Sequence, residues 1–559
     1  MKFTRLASAV VLATTSLPIL AASYTVTELP ARELSENQYA SSIDNTGLVL
    51  TTFQNNYNPP IDLRLIDLDS DFFAAALTDI DAVRNGDPNL SDYNFLTNYV
   101  RTGSSNFSVL TQQLGQFLGY KYVNDSFEYI KAFDEESDEL GGFSFSMETT
   151  LRDSTNGTHI IGNTEGPNRI IEYTNENGDV LTYNVFDFDR RGFVQVGDTT
   201  VGLVPADTTL GGSSLVNSIN QNYVVAGVGS VAPSDALVLA NANCLDEETR
   251  GDQPVEVCQA RLRTSTSSTG AVSRRSGLWT ERATLWSLDV EGNIIDTTVY
   301  GTLVTDEEEI ANAGTSQALD VNVNGVAVGV ASLKIGEDQL FSTAAAIFQN
   351  GVVTRMIEDD DLLPNSALHI NDNNFVTGVR SERINNVSRS RMYVYNLSTD
   401  DIDFVDGFFV SSSTLPRAMN NENIIVGSAD VDVVTGTTQR PTAGFMYDIE
   451  SQTFTNLNDL LPCGTDYNII EALDINDSNV IMASASTKRP VRNVRGEILT
   501  DDDGNEVLTD TVVAVMLNPT GAEPSDCSAD EDTLERQGAS TGVLMFAMLF
   551  VASIFRRRK

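Results

Sequence analysis

The chain has 559 residues, with 35 basic against 78 acidic side chains and a formal net charge of −43. A field of that sign repels phosphate backbones and anionic headgroups, so nucleic acid is not an expected partner. With 41% hydrophobic residues the chain has the apolar content of a folded protein rather than a disordered one.

Taken in chain order, Lys2 and Arg5 precede an apolar stretch from Leu6 to Leu20, which ends in Ala21-Ala22-Ser23. A basic start, a short apolar core and small residues at its end predict a secretory signal peptide over residues 1–23. The expected location is therefore beyond the inner membrane, at the cell surface, in the outer envelope or outside the cell. The folded body is expected over residues 24–530.

Between residues 69 and 124 the pattern changes. Phe72-Phe73, Leu77, Phe95-Leu96, Tyr99-Val100, Leu114 and Phe117-Leu118 recur at three- and four-residue spacing with few β-branched residues. This predicts a small helical insertion.

The rest of the body repeats one phrase. Leu319-Asp320-Val321-Asn322 leads through a polar turn to an apolar run ending in Gly329. The phrase returns as Leu368 to Asn371 with Gly378, as Arg417 to Asn420 with Gly427, and as Leu473 to Asn476. The step from Asn322 to Asn371, and from Asn371 to Asn420, is 49 residues each time. Weaker copies are Asn220 with Gly227, Ser42-Ile43-Asp44, and Asn156 to Gly162. The polar segment Asn241 to Arg275 reads as an insertion that lengthens the step from Asn220 to Asn322.

A fixed period in this range marks a solenoid or a propeller. Within each copy the Asn opens a turn, a Val- and Ile-rich strand follows, and an aromatic strand comes next. Trp286, Phe348, Tyr393 and Phe445 mark that second strand. Three or four short antiparallel strands per repeat are the content of one blade. The expected fold is all-β, a β-propeller of six or seven blades, with seven favoured. The glycines Gly227, Gly329, Gly378 and Gly427 are expected where strands approach closely.

Four cysteines admit three pairings. Cys244 with Cys258 and Cys463 with Cys527 is the favoured set, because each bond closes a loop. No Cys-x-x-Cys occurs, so a zinc knuckle has no support.

Chemistry is less legible. The two histidines, His159 and His369, lie about two hundred residues apart and read as structural. His369 occupies a slot held by Asp320, Asp474, Ala418 and Ser218 in other copies, which suggests a position facing a turn or solvent. The acidic runs at Asp134 to Glu139, Asp306 to Glu309, Glu358 to Asp361 and Asp501 to Asp503 read as solvated loops. Oxygen ligands alternate in Asp474-Ile475-Asn476-Asp477 and in Asp501-Asp502-Asp503, which makes calcium the one candidate cofactor, with Asp474, Asn476, Asp477, Asp501 and Asp503 as ligands. Asx turns explain the same residues. No catalytic residue is identified.

The tail over residues 531–559 joins Gly538-Ala539-Ser540-Thr541-Gly542 to the apolar run from Val543 to Phe555 and to Arg556-Arg557-Arg558-Lys559. One reading is a plain C-terminal membrane anchor. The tail also resembles the GlyGly-type sorting signals processed by a rhomboid-like intramembrane protease, with Gly538-Ala539 in place of the Gly-Gly pair.

The repeated phrase resembles the HAF-type repeat of extracellular bacterial proteins. The whole layout is similar to the secreted bacterial domain-of-unknown-function family 3466. That resemblance implies a structural repeat and no catalytic residues. The expected function is binding or scaffolding in the envelope, with a polysaccharide or an envelope protein as partner at the axial funnel or on a loop face. The alternatives are a secreted polysaccharide hydrolase or lyase using acidic funnel residues, and a purely structural surface protein.

Overall fold

A computed structural model describes residues 23–30, 33–105, 108–266, 272–274, 276–304, 314–335, 340–358, 363–384, 386–433 and 440–523. Seven four-stranded antiparallel sheets form the blades of a β-propeller. Their first strands are Ser35–Ile43, Thr149–Thr155, Ser214–Ile219, Ser316–Val321, Asn365–Ile370, Thr414–Met419 and Asn468–Ile475, here numbered blades 1 to 7. These first strands line the central channel, so each blade runs outward from the axis.

The ring is closed by a strand from the other end of the chain. Tyr24–Glu28 pairs with Leu508–Pro519, Tyr24 opposite Pro519 and Glu28 opposite Val515, and completes blade 7. Neighbouring blades bury apolar side chains against one another. Ala226, Leu285 and Trp286 of blade 3 enter two such clusters, one facing Val194 of blade 2 and the other Phe348 of blade 4. Ala418 and Val426 of blade 6 meet Ile469 and Ala472 of blade 7 in the same way.

Antiparallel order places the connections. The turn between the first and second strands, which carries the repeated Asn, lies on one face of the ring. The connection between the second and third strands lies on the opposite face. The three largest insertions, in blades 1, 2 and 3, use that second connection. Blade 1 holds the helices Asp71–Ala76, Ile80–Arg84 and Leu90–Ser105 there, packed around Phe73, Val83, Leu96 and Val100. Blade 2 holds the hairpin Asn168–Thr174 with Val180–Phe186. Blade 3 holds the helices Asp235–Leu245, Glu247–Arg250 and Val255–Leu262.

These insertions bond to one another. The Asn184 amide donates to the Val109 carbonyl at 2.8 Å, and the Asn58 amide donates to that of Val494, in the blade 7 connection, at 2.8 Å. Tyr183 and Val185 of the hairpin pack against Val257 and Ala260 of the last helix. Blades 7, 1, 2 and 3 thus share a continuous cap on the face opposite the Asn turns.

One expectation needs correction. The helical insertion does not run to residue 124, because Phe117–Val123 is the third strand of blade 1, paired with the second strand from Val49 to Gln54. Its Phe, Leu, Tyr and Val content favours the pleated, half-buried setting over a helix. The segment from Asn241 is an insertion, as expected, between the second and third strands of blade 3. It carries helices, the first of them started by Ser234, whose hydroxyl accepts from the Leu237 amide at 3.3 Å. Cys244 and Cys258 are joined by a disulfide across those helices. Cys527 and the tail residues Gly538, Ala539, Ser540, Arg556, Arg557 and Arg558 lie outside the described residues. Among the described residues no helix is long and apolar enough to cross a membrane.

Candidate functional site: the axial channel

The repeated Asn is an inter-blade clasp. The Asn371 side-chain oxygen accepts the amides of Asn373 and Phe375 at 3.1 and 3.0 Å, which fixes its own turn. Its side-chain nitrogen donates to the Asn420 carbonyl in the next blade at 3.1 Å. Asn220 donates to Asn322, Asn322 to Asn371, Asn420 to Asn476 and Asn476 to Asp44 in the same way, over 2.7 to 3.3 Å. An amide offers an oxygen that accepts from its own turn and a separate nitrogen that donates to the next one, which a carboxylate cannot do. Asp44 cannot donate, and instead accepts the Gly157 amide of blade 2 at 2.7 Å. Asn156 then reaches the Gln221 carbonyl of blade 3 at 3.3 Å, so the belt runs through all seven blades.

Just before this turn every first strand carries a β-bulge. The register slips past Ser41, Arg152, Asn217, Leu319, Leu368, Arg417 and Leu473 in blades 1 to 7. A bulge re-aims side chains that would otherwise alternate between faces. The bulge residue and the one after it therefore both reach the channel in most blades, as in Arg152 with Asp153, Leu319 with Asp320 and Leu368 with His369. The bulge also explains the repeated Gly. A Cβ on Gly329 would lie 2.0 Å from the Gln317 carbonyl oxygen, and one on Gly378 would lie 2.0 Å from that of Ser366. Gly227 and Gly427 meet the same obstacle, together with Trp286 and Phe445.

The result is a channel of about 670 Å³ with the Asn turns at one end. One level of its wall holds Arg152, Arg417, Leu319, Leu368 and Leu473. The next level, closer to the turns, holds Asp153, Asp320, Asp474 and His369. The three carboxylates are also clasps. Asp474 accepts the Ile43 amide of blade 1 at 2.8 Å, Asp153 the Ile219 amide of blade 3 at 2.9 Å, and Asp320 the Ile370 amide of blade 5 at 3.0 Å. Each also accepts the amide of the residue that follows it, at 2.7 to 2.8 Å. His369 Nδ1 lies 3.7 Å from Asp320.

Loss of water in the channel wall, reinforced by the charges of Asp474 and Asp320, holds the Asp153 carboxyl well above the usual carboxylate range. Burial raises Asp474 as well, opposed by the Ile43 amide and by His369.

The slot of His369 thus faces the channel, not a turn or open solvent. Its varied occupants mislead because the channel itself is polar. His159 is buried at 2% exposure and stacks on Tyr223 with centroids 4.2 Å apart. Asp134 is tied to Ser144, Phe145 and Tyr129, as a structural carboxylate would be.

The proposed calcium ligands fall into two separate places. Asp474, Asn476 and Asp477 stand at the channel mouth, where Asp477 bonds Asn421 and Asn45 of the adjoining blades. Asp501 caps its own hairpin turn, accepting the Asp503 and Asn505 amides at 2.9 Å each, in the blade 7 connection on the opposite face. Among the described residues no group of three or more His, Cys, Asp or Glu side chains is placed to hold a metal ion.

These features define a seven-bladed β-propeller with a charged axial channel. The chain belongs to the family described as Protein of unknown function (DUF3466), whose model matches residues 1–558. No curated protein matches it. Solved structures similar to it include the acylaminoacyl peptidase of Pyrococcus horikoshii, at 10% identity and a TM-score of 0.38, over 85% of this chain and 55% of that one. A putative TolB from Agrobacterium tumefaciens aligns at 8% identity and a TM-score of 0.30, over 65% and 89% of the two chains. The tricorn protease aligns at 10% and 0.25, over 70% and 38%. The chain spans little more than half the length of the peptidase.

Proposed function

We propose that this is a binding propeller of the cell envelope, exported by its N-terminal signal and held at or released from the surface by its tail. Its ligand, a polysaccharide or an envelope protein, enters the axial channel from the face of the Asn turns. The observation that carries this reading is the paired level of the channel wall. Seven bulged strands aim charged and apolar side chains into a space of about 670 Å³ at the centre of the ring. A concave site with a few convergent polar groups is the usual form of a ligand site.

The test is incubation of the purified protein with immobilised polysaccharides and peptidoglycan, with calcium and with chelator, scoring retention and soluble products. Saturable retention without products supports binding, and its loss in chelator would place calcium in the site.

A second reading, hydrolysis of a polysaccharide, draws on the raised carboxyl of Asp153 beside Asp320 and Asp474. Acids of that kind protonate leaving groups. Release of soluble products by the wild type, abolished in a folded Asp153→Asn variant, would favour it over binding.

A further inference from the structure

Arg152 is the bulge residue of blade 2 and projects into the channel, where its side chain is exposed. Among the described residues no hydrogen bond or ion pair holds its guanidinium. The charged group that acts on it most directly is another cation, Arg417, the bulge residue of blade 6. Arg417 has a partner, since its Nε donates to Glu471 at 2.6 Å. Arg152 has none.

Glu471 balances Arg417, but among the described residues no anion pairs with Arg152, and the fold gains nothing visible from it in return. A packing role would be served better by Leu, which blades 4, 5 and 7 use at the same level. The arrangement becomes favourable once an anion sits against the guanidinium, because a charge-assisted pair of this kind is about twice as strong as a neutral hydrogen bond. The net charge of −43 does not prevent it. At physiological salt, fields are screened over about 8 Å, so the distant surface carboxylates weigh little on an anion held directly against Arg152.

Two neighbouring features narrow the ligand. Leu319, Leu368 and Leu473 offer an apolar flank at the level of the arginines. Asp153, Asp320 and Asp474 stand between that level and the mouth, which disfavours entry of a densely charged polyanion. We propose that Arg152, with Arg417, binds the single acidic group of a ligand, a carboxylate or a phosphate ester, whose apolar part rests on the three leucines. This inference rests on the reading of the channel as the binding site and adds the chemistry of its ligand.

The test is calorimetric titration of the full chain with hexanoate, hexyl phosphate and hexanamide at low ionic strength, repeated on Arg152→Gln. The Arg152 side chain makes no hydrogen bond or ion pair among the described residues, so the variant loses no thermal stability. The expected result is saturable binding of hexanoate or hexyl phosphate, about tenfold weaker in Arg152→Gln, which corresponds to about 1.4 kcal/mol. Hexanamide gives no saturation. Which anion binds tells a carboxylate ligand from a phosphate one.

No saturation by either anion, or equal affinity in Arg152→Gln, overturns the inference. If polymer retention is still lost when the channel is blocked, the binding reading survives that failure. If retention is indifferent to the channel, the binding reading itself falls.

Discussion

The side-chain amide of Asn371 donates to the backbone carbonyl of Asn420 at 3.1 Å, across the boundary between blades 5 and 6. Asn371 is 3% exposed, and its oxygen holds two amides of its own turn at the same time. One side chain thus shapes a turn and joins two blades. Asn371→Ala leaves those buried groups without partners and should cost about 2–4 kcal/mol, read by denaturant unfolding. Asn371→Asp keeps the turn but sets a carboxylate against the Asn420 carbonyl, and should recover only part of that loss. Full stability in the Ala variant would remove the clasp from the account.

The glycine of the phrase is a separate requirement. Gly378→Ala places a methyl carbon 2.0 Å from the Ser366 oxygen and 2.5 Å from the Tyr393 hydroxyl. Backbone and a buried ring must both shift, at a cost of about 3 kcal/mol. Blade 7 already has Ala483 at this place, opposite Ala472. The reciprocal change Ala483→Gly should therefore alter stability by no more than about 1 kcal/mol. Thermal unfolding of both variants checks the contrast.

Asp153 gives stability a pH dependence. The native state raises its carboxyl above the ordinary value of 3.8, through burial and then through Asp474 and Asp320. Between that value and the raised one the native state binds more protons than the unfolded chain, so stability falls as pH rises through the window. Asp153→Asn removes this contribution. The stability difference should move in favour of the variant as pH rises above 3.8, with Asp474 keeping part of the slope because the carboxyls titrate together. Parallel curves for the two proteins would contradict the coupling.

The disulfide between Cys244 and Cys258 closes a loop with a sequence separation of 14 within the blade 3 helices. Its removal in Cys258→Ser should destabilise that part of the cap by about 3 kcal/mol. Hydrogen exchange should show faster opening in Asp235–Leu245 and Val255–Leu262 and unchanged protection in blades 4 to 6. A uniform change over the whole ring would mean that the cap and the propeller unfold as one unit.

The fold was legible because the clasp is chemical. An amide that must both accept and donate leaves Asn at the same place in blades 3 to 7, and a close carbonyl leaves Gly at Gly227, Gly329, Gly378 and Gly427. Blade 2 lacks the Asn, with Thr155 ending its first strand, and its copy is correspondingly faint. The closing strand Tyr24–Glu28 has no local signal, since its partner lies at the far end of the chain. The lining of the channel was hidden by the bulges. Where Leu319 and Asp320 both reach the channel, the alternation that tells inside from outside breaks. A slot holding Asp153, Ser218, Asp320, His369, Ala418 and Asp474 then looks indifferent. Arg152 and Arg417 were invisible for the same reason, although aligning the seven copies on the turn would have set them at one level.

Channel blocking tests the central claim most directly. Leu319→Trp and Leu368→Trp, made together, fill the apolar flank while leaving the Asn belt in place. Retention on polysaccharide or peptidoglycan should be saturable for the wild type and lost for the double variant, at equal thermal midpoints and without soluble products. Equal retention by both proteins would contradict an axial binding site.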